Sequence, residues 1–130
     1  MEHCLILTVM AAAFVVLLSL ASVECDSSLG RLSSSRKADP ESRKLATEVR
    51  ATITARSQQN DNTPLTHFTV ITYKTQTVGD SGVNYFVKIQ VNDSTDKGYV
   101  HAKIFRGQDG SARLDNLLTG RSDTDPIQAF

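Results

Sequence analysis

The chain has 130 residues, and its 14 Lys and Arg residues balance its 14 Asp and Glu residues. This length suits a single domain, and the lack of a basic excess argues against a nucleic-acid-binding protein. The two cysteines, Cys4 and Cys25, both lie near the N-terminus, so the remaining chain cannot form an internal disulfide.

Residues 1–25 have the pattern of a secretory signal peptide. A nearly uninterrupted apolar run spans residues 5–20, and small residues follow it at Ala21 and Ser22. No Lys or Arg precedes the run, which is atypical. The pattern allows cleavage after Ala21 or after Cys25, and the alternative is an uncleaved membrane anchor. We expect cleavage and secretion, with delivery to lysosomes or vesicles also compatible with such a leader.

Cleavage would leave residues 26–130 with a formal charge of +2, because Glu2 and Glu24 are lost with the leader. This charge excludes a strongly basic surface, and no membrane-spanning segment remains. A retained Cys25 would be a lone thiol that could pair between molecules.

A polar, serine-rich stretch, residues 26–38, predicts a flexible N-terminal trunk. A helix is predicted next, over residues 40–56, because Asp39 can cap it and Pro40 suits its first position. Leu45, Val49 and Ile53 form a narrow apolar stripe at four-residue spacing along it. Residues 57–64 have the composition of a loop.

Four strands are predicted after this loop, over residues 65–78, 84–92, 99–106 and 113–120. In the first of them Val70 and Ile71 interrupt the alternation of side chains, which predicts a bend or bulge. Turn residues separate the strands, and a polar tail, residues 121–130, ends the chain.

One helix followed by a meander of strands predicts an α+β domain, residues 39–130, in which an antiparallel sheet wraps on the helix. A meander places alternate turns at the same end of a sheet. The turns at residues 79–82 and 107–110 should therefore share one edge, with the turn at residues 93–98 at the other.

Nothing in the sequence has the form of a catalytic site. His67 and His101 are predicted to lie in strands, and no Cys, His or carboxylate cluster has metal-ligand spacing. A nucleophile elbow and a phosphate loop are both lacking. We therefore expect a binding protein with no cofactor and no bound metal rather than an enzyme.

The strand–loop–strand region is similar to the stefin (type 1) group of the cystatin superfamily. Residues 73–78 read Tyr-Lys-Thr-Gln-Thr-Val and residues 82–88 read Gly-Val-Asn-Tyr-Phe-Val-Lys, which resembles the stefin segment centred on Gln-x-Val-x-Gly. Residues 99–105 resemble the following strand. Weaker matches lie at residues 30–33, at the helix start and at residues 127–130.

The resemblance implies a reversible inhibitor of papain-like cysteine proteases, such as those of the cathepsin L, B or S type. In this family an N-terminal trunk and two hairpin loops form a wedge that enters the active-site cleft of the protease. The residues that would bind the protease here are Gly30, Leu32, Gln76, Thr77, Val78, Gly79, Asp80, Gly82, Gly107, Gln108, Asp109 and Gly110. A monomer is expected, and exchange of the hairpin could give a dimer.

The chain differs from the stefin pattern at the parts that would touch a protease. The first loop has two extra residues between Val78 and Asn84, and Asp80 stands where glycine is expected. The second loop reads Arg-Gly-Gln-Asp-Gly in place of Leu-Pro, and Arg31 stands where a second glycine is common. An Asp that enters a tight cleft is desolvated at a cost. These differences support an alternative: a cystatin-fold binding protein that has lost protease inhibition.

Asn92-Asp93-Ser94 is a glycosylation sequon that secretion would make usable. It lies in the predicted turn at the edge away from the two loops, where a glycan would not obstruct a wedge. Sequons also occur by chance, so glycosylation of Asn92 and a plain turn both stay open.

Overall fold

The computed structural model describes residues 29–62 and 64–130. The predicted signal peptide and both cysteines lie outside these residues. The chain divides after Gly30 into two units, and the fold below is that of Arg31–Phe130. In the described part of the chain, no helix has the length and apolar character that a membrane crossing requires.

The predicted helix is present but is interrupted once. Helix α1 spans Pro40–Glu48, and helix α2 follows at Arg50–Asp61, five residues beyond the predicted end. Between them Val49 has φ −104° and ψ 10°. The Thr47 hydroxyl donates to the Arg43 carbonyl at 2.8 Å, a side-chain bond of the kind that bends helices. The predicted single helix is therefore two helical segments that meet at Val49.

Asp39 caps α1 as its sequence position predicts. Its Oδ1 accepts from the Ser42 backbone at 2.8 Å, and its own backbone N–H donates to Ser42 Oγ at 3.0 Å. These two reciprocal bonds satisfy backbone donors that a helix start leaves without intrahelical partners. The cap fixes where the helix begins and hence which of its residues face the sheet.

The sheet has five strands in sequential order, and every neighbouring pair is antiparallel. The strands are β1 (Arg36–Lys37), β2 (Thr69–Val78), β3 (Gly82–Gln90), β4 (Tyr99–Gly107) and β5 (Ala112–Arg121). The register shifts between Val70 and Thr72, where the sequence predicts a bulge. The fold is thus the α+β class that the sequence predicts, with a sheet packed on helical segments.

Part of the predicted trunk bonds along β2: Arg36 and Lys37 pair with it in register, and the Ser33 and Ala38 N–H groups donate to its carbonyls. The edge of that strand offers backbone groups that need partners. One sequence-based expectation is wrong in detail. His67, assigned to a strand, precedes β2, and its backbone N–H donates to the Val91 carbonyl at 2.9 Å. Its imidazole contacts Asp93 at 2.7 Å, where both side chains are exposed.

The main core lies between the helices and one face of the sheet. The predicted stripe of Leu45, Val49 and Ile53 is buried, and Ile53 is fully inaccessible to solvent. It packs in one cluster with Val91, which follows β3, and with alternating residues of the central strands, namely Tyr85, Val87, Ile89, Val100, Ala102 and Ile104. Because each strand contributes every second residue, the opposite face of the sheet needs a separate cover.

The C-terminal tail, residues 122–130, provides that cover. Phe86, which points away from the helices, is 1% exposed and meets the Phe130 ring edge-on at 5.5 Å. Lys88 donates to the Asp123 carbonyl at 2.8 Å, and Lys74 donates to the Ile127 carbonyl at 2.9 Å. The tail is therefore held to the sheet by both apolar contacts and hydrogen bonds.

Candidate functional site

The tips of two hairpins lie side by side at one edge of the sheet. Loop 1 (residues 79–81) joins β2 to β3, and loop 2 (residues 108–111) joins β4 to β5. Gly82, at the end of loop 1, pairs in register with Gly107, at the start of loop 2. The shared edge that the meander predicts is therefore present, and the two loops begin from adjacent points.

Loop 1 depends on glycine at both of its ends. Gly79 has φ +47°, a conformation that costs other residues about 1–2 kcal/mol. The Ser81 N–H closes the turn by donating to the Val78 carbonyl at 2.9 Å. A Cβ atom at Gly82 would overlap the Arg106 carbonyl oxygen and lie 2.8 Å from the Phe105 ring. Glycine here thus allows the close approach of β3 and β4 on which the neighbouring loops depend.

Loop 2 is closed by its own hydrogen bonds. The Gly110 N–H donates to the Gly107 carbonyl at 3.0 Å, and the Gly107 N–H donates to the Ser111 carbonyl at 3.0 Å. The Asp109 carboxylate accepts from Ser111 Oγ at 2.7 Å and from the Ser111 N–H at 3.0 Å. The Ser111 hydroxyl, and then its backbone N–H, hold the pKa of Asp109 below its usual value. Asp109 is therefore ionised at neutral pH, and its carboxylate helps to hold the loop closed through Ser111.

A side chain of loop 2 bridges to loop 1. The Gln108 amide nitrogen donates to the backbone carbonyl of Asp80, the residue at the tip of loop 1. Residues of both loops line one open cleft of about 460 Å³ between them. Gln108 and Asp80 are both exposed, so the bridge lies at the outer end of the hairpins. The two tips consequently present one continuous surface.

The base of loop 2 is tied to the start of helix α1. Arg106 forms an ion pair with Glu41 and lies over the Tyr85 ring, 5.4 Å from its centre. The Tyr85 hydroxyl donates to the same Glu41 carboxylate at 2.6 Å. Burial, and then the bond to Glu41, raise the pKa of Tyr85 to about 12, so this hydroxyl remains a donor. Sequence reasoning did not find this anchor, because Glu41 and Arg106 are 65 positions apart.

A second tyrosine makes a parallel connection one strand away. The Tyr73 hydroxyl donates at 2.6 Å to the Asp39 carboxylate that caps α1. This bond lowers the pKa of Asp39 and raises the pKa of Tyr73. The Tyr73 and Tyr85 rings stack with centres 5.7 Å apart. The helix start and the central strands below the loops are thus bound together by charge-assisted hydrogen bonds.

The trunk runs along β2 towards loop 1. The Ser33 N–H donates to the Thr75 carbonyl at 2.8 Å, and the Thr75 N–H donates to Ser33 Oγ at 2.9 Å. These bonds place Leu32, which is half-buried, beside the part of β2 that leads into loop 1. Gly30 ends the other unit of the chain, so its place beside the loops stays a prediction.

The remaining predicted protease-binding residues lie on the strands or tips just described. Gln76 and Thr77 belong to β2 and pair with Asn84 and Val83 of β3, and Val78 pairs with Gly82. Thr77 is exposed, whereas Gln76 and Val78 are half-buried. The structure therefore brings together Leu32 and both loops at one end of the sheet.

Asn92, the predicted glycosylation site, lies at the opposite end and is 8% exposed. Its Nδ2, the atom that a glycan would join, donates to the Pro64 carbonyl at 2.9 Å. Its Oδ1 accepts from the Ser94 N–H at 2.9 Å. Modification would have to precede formation of these bonds or break them, so the folded geometry disfavours a glycan at Asn92.

The described residues hold no cluster of three or more His, Cys, Asp or Glu side chains that could bind a metal. His101 is 2% exposed on β4. Burial, with Lys88 and Arg121 nearby, lowers its pKa to about 4, so its imidazole is neutral at pH 7. This histidine therefore belongs to the packing of the sheet, away from the loops.

No protein-family model matches the chain, but several known proteins do. Cystatin-A of Felis catus is 36% identical over 104 residues, which cover 78% of this chain and 97% of the relative. Cystatin-A2 of Dictyostelium discoideum is 32% identical over 78% of this chain and 97% of its own length. Stefin-3 of Mus musculus is 32% identical, with 78% and 91% covered.

Proposed function

The chain belongs to the stefin (type 1) group of the cystatin superfamily, and from this we propose that it is a secreted, reversible inhibitor of papain-like cysteine proteases. Members of this family are protease inhibitors and not enzymes. The observation that carries the proposal is the joined pair of hairpin tips at one edge of the sheet, bridged by Gln108 and Asp80. Proteases of the cathepsin L, B or S type are the proposed partners.

In the proposed mechanism, loops 1 and 2 and the trunk enter the protease cleft as one wedge. The strands already hold both loops, so little conformational entropy is lost on binding. The exposed Gly79 lets the backbone of loop 1 approach the catalytic residues of the protease closely. Leu32, held beside loop 1 by the bonds of Ser33, fills an apolar substrate-side pocket. The inhibitor blocks the cleft without a covalent step.

Two carboxylates at the loop tips determine which proteases the protein should bind most tightly. Asp109 is already satisfied by Ser111, whereas the exposed Asp80 carboxylate would lose water in a tight cleft. A Lys or Arg at the rim of the protease cleft would offset that cost. We therefore expect stronger inhibition of proteases with a basic rim, and weaker inhibition as the salt concentration rises.

The proposal of secretion depends on residues 1–25. Their apolar run and small-residue boundary are typical of a cleaved leader, and residues 26–130 contain no cysteine. The core between helices and sheet is then the source of stability in an oxidising compartment. Delivery to lysosomes or vesicles would bring the inhibitor to the same class of protease.

The test uses the full chain expressed in cells with a secretory pathway. The product in the medium is sequenced at its N-terminus, and its mass is measured by mass spectrometry to detect a glycan. It is then titrated against papain and cathepsin L. We expect a leader removed after residue 21 or 25, and inhibition that is lost again on dilution. Asp96→Ala, at the opposite edge of the sheet, is a control that should inhibit equally. No inhibition by folded protein at micromolar concentration would contradict the proposed activity, and an intracellular product with an intact leader would contradict secretion.

A second candidate function is a cystatin-fold binding protein that no longer inhibits proteases. The charged tip at Asp80 and the sequence of residues 106–110 favour it, because both depart from the stefin pattern at the proposed contact surface. A panel of papain-like proteases that retain full activity with folded protein would support this function over inhibition.

A further inference from the structure

From the bridge between the loops we infer that Gln108 is a positioning residue, which fixes the lengthened loop 1 by tying it to the better anchored loop 2. The effect of this role on protease binding rests on the proposed function, but the hydrogen bond between the two loops is a property of the isolated protein. Gln108 need not touch the protease to affect binding. It acts through the backbone carbonyl of Asp80.

Loop 1 is the loop that the hydrogen bond from Gln108 orders. It has two residues more than the stefin pattern, and every added residue increases the number of conformations open to a loop. Its turn is closed by the bond from the Ser81 N–H to the Val78 carbonyl. That bond lies at the base of the loop, whereas Gln108 holds the tip. Fixing both points restricts the path between them.

Loop 2 is suited to the role of anchor. The Asp109 carboxylate binds Ser111 twice, and the Gly107 and Gly110 backbones close the turn. Arg106, at its base, is paired with Glu41 of helix α1. A connection therefore runs from the helix through Arg106 and loop 2 to the tip of loop 1.

Two departures from the stefin pattern are explained together by this connection. The longer loop 1 brings the Asp80 carbonyl within reach of loop 2, and the glutamine in loop 2 supplies the amide that meets it. A shorter loop 1 would lack this carbonyl, and a Leu-Pro loop would lack the donor. The effects of changing the two loops should therefore be coupled and not additive.

The experiment compares Gln108→Glu and Gln108→Ala with the native protein, each as the secreted product of the full chain. Gln108→Glu keeps the shape of the side chain but replaces the donating nitrogen with an oxygen that repels the Asp80 carbonyl. Gln59→Glu is the matched control, because it makes the same charge change at an exposed position of helix α2. Amide hydrogen exchange of residues 79–82 is measured first, without any protease.

We expect exchange in loop 1 to be about 5- to 10-fold faster in both Gln108 variants, the effect of losing one hydrogen bond, and unchanged in Gln59→Glu. Papain should dissociate from the Gln108 variants faster by a similar factor, with a nearly constant association rate. In a chain lacking Asp80 and Ser81, Gln108→Glu should no longer change amide exchange in loop 1, because the carbonyl on which Gln108 acts is absent.

Unchanged loop 1 exchange in both Gln108 variants would overturn the inference. Faster exchange with an unchanged papain dissociation rate would also overturn it, because the tie would then not position the loop for binding. If the native protein binds no protease, the proposed function fails, and the exchange measurement alone still decides whether Gln108 orders loop 1.

Discussion

The two faces of the sheet are buried in different ways. The face towards the helices is covered by Leu45, Val49 and Ile53, and its tyrosine hydroxyls reach carboxylates at the rim. The face towards the tail buries Phe86 beside Lys88 and His101. On the helix face the charged side chains Asp39 and Glu41 lie at the edge, whereas on the tail face Lys88 and His101 lie within the packed layer.

Because of this difference, the stability of the two layers should respond to different perturbations. An apolar layer loses stability mainly when its volume is reduced. A layer that buries titratable groups also loses stability when their protonation changes. In the described residues, three buried side-chain atoms lack a hydrogen-bond partner: Ser57 Oγ of helix α2, which does not titrate, and His101 Nε2 and Arg121 Nε. The tail face should therefore be the pH-sensitive one.

The largest expected effect is on the helix face. Ile53→Ala should lower the free energy of unfolding by about 3–4 kcal/mol, because it leaves a cavity at a fully buried position between α2 and the sheet. Urea unfolding at pH 7 measures this loss. Ala55→Gly, at an exposed position of the same helix, serves as a control and should cost about 1 kcal/mol. Equal losses in the two variants would show that Ile53 is not a central core residue.

The pH dependence of the tail face should be nearly as large. Burial and the cations Lys88 and Arg121 lower the pKa of His101 to about 4, and Asp125 opposes them. An unfolded histidine titrates near pH 6.5, so the unfolded chain binds a proton that the folded chain does not. His101 therefore contributes its full stability above about pH 6.5, and the contribution is lost as the pH falls towards 4. The loss should approach about 3 kcal/mol.

Urea unfolding at pH 7.0 and pH 4.5 tests this expectation. His101→Gln should remove most of the difference in the free energy of unfolding between the two pH values, whereas Ala55→Gly, at an exposed position without a titratable group, should preserve that difference. The carboxyls with lowered pKa, Asp39, Asp109 and Asp125, lose their contribution below about pH 3.8, outside this window. An equal pH dependence in the native protein and in His101→Gln would contradict the assignment.

The apolar part of the tail face should contribute less than the helix core. Ile127 is 4% exposed, and Ile127→Ala should lower the free energy of unfolding by about 2 kcal/mol, the low end for a buried isoleucine because the tail can settle into the space. Gln128→Ala, beside it and exposed, should cost less than about 0.5 kcal/mol. A loss as large as that of Ile53→Ala would show that the tail is part of the main core.

Local patterns were sufficient to predict the elements and much of their arrangement. Four-residue spacing identified Leu45, Val49 and Ile53 as the buried stripe, and broken alternation located the bulge at Val70. The turn residues and the meander rule placed loops 1 and 2 at one edge. Each of these features depends on neighbours in the sequence, which periodicity and turn chemistry report directly.

The features that sequence reasoning missed depend on distant neighbours. Nothing near Asn92 in the sequence shows that its side-chain amide will donate a hydrogen bond to the Pro64 carbonyl. The cover of the outer face by Ile127 and the bridge from Gln108 to Asp80 likewise join segments far apart in the chain. The resemblance to stefins identified the loop residues of the candidate site, but the bonds that order them follow only from the folded geometry.

The smallest effect tests the interruption between the two helical segments on the helix face. The exposed Thr47 hydroxyl donates to the Arg43 carbonyl, a bond that competes with the helical ladder where α1 ends. Thr47→Ala removes that bond and adds a better helix former, so it should raise the free energy of unfolding by about 0.5 kcal/mol. Thr54→Ala loses a similar bond to the Arg50 carbonyl within the uninterrupted helix α2. It therefore separates the effect of helix propensity from the effect of removing a bend. If Thr47 causes the break, Thr47→Ala should also slow amide exchange at Val49 and Arg50, and Thr54→Ala should not. Equal exchange at these residues in both variants would assign the break instead to the packing of Val49 in the core.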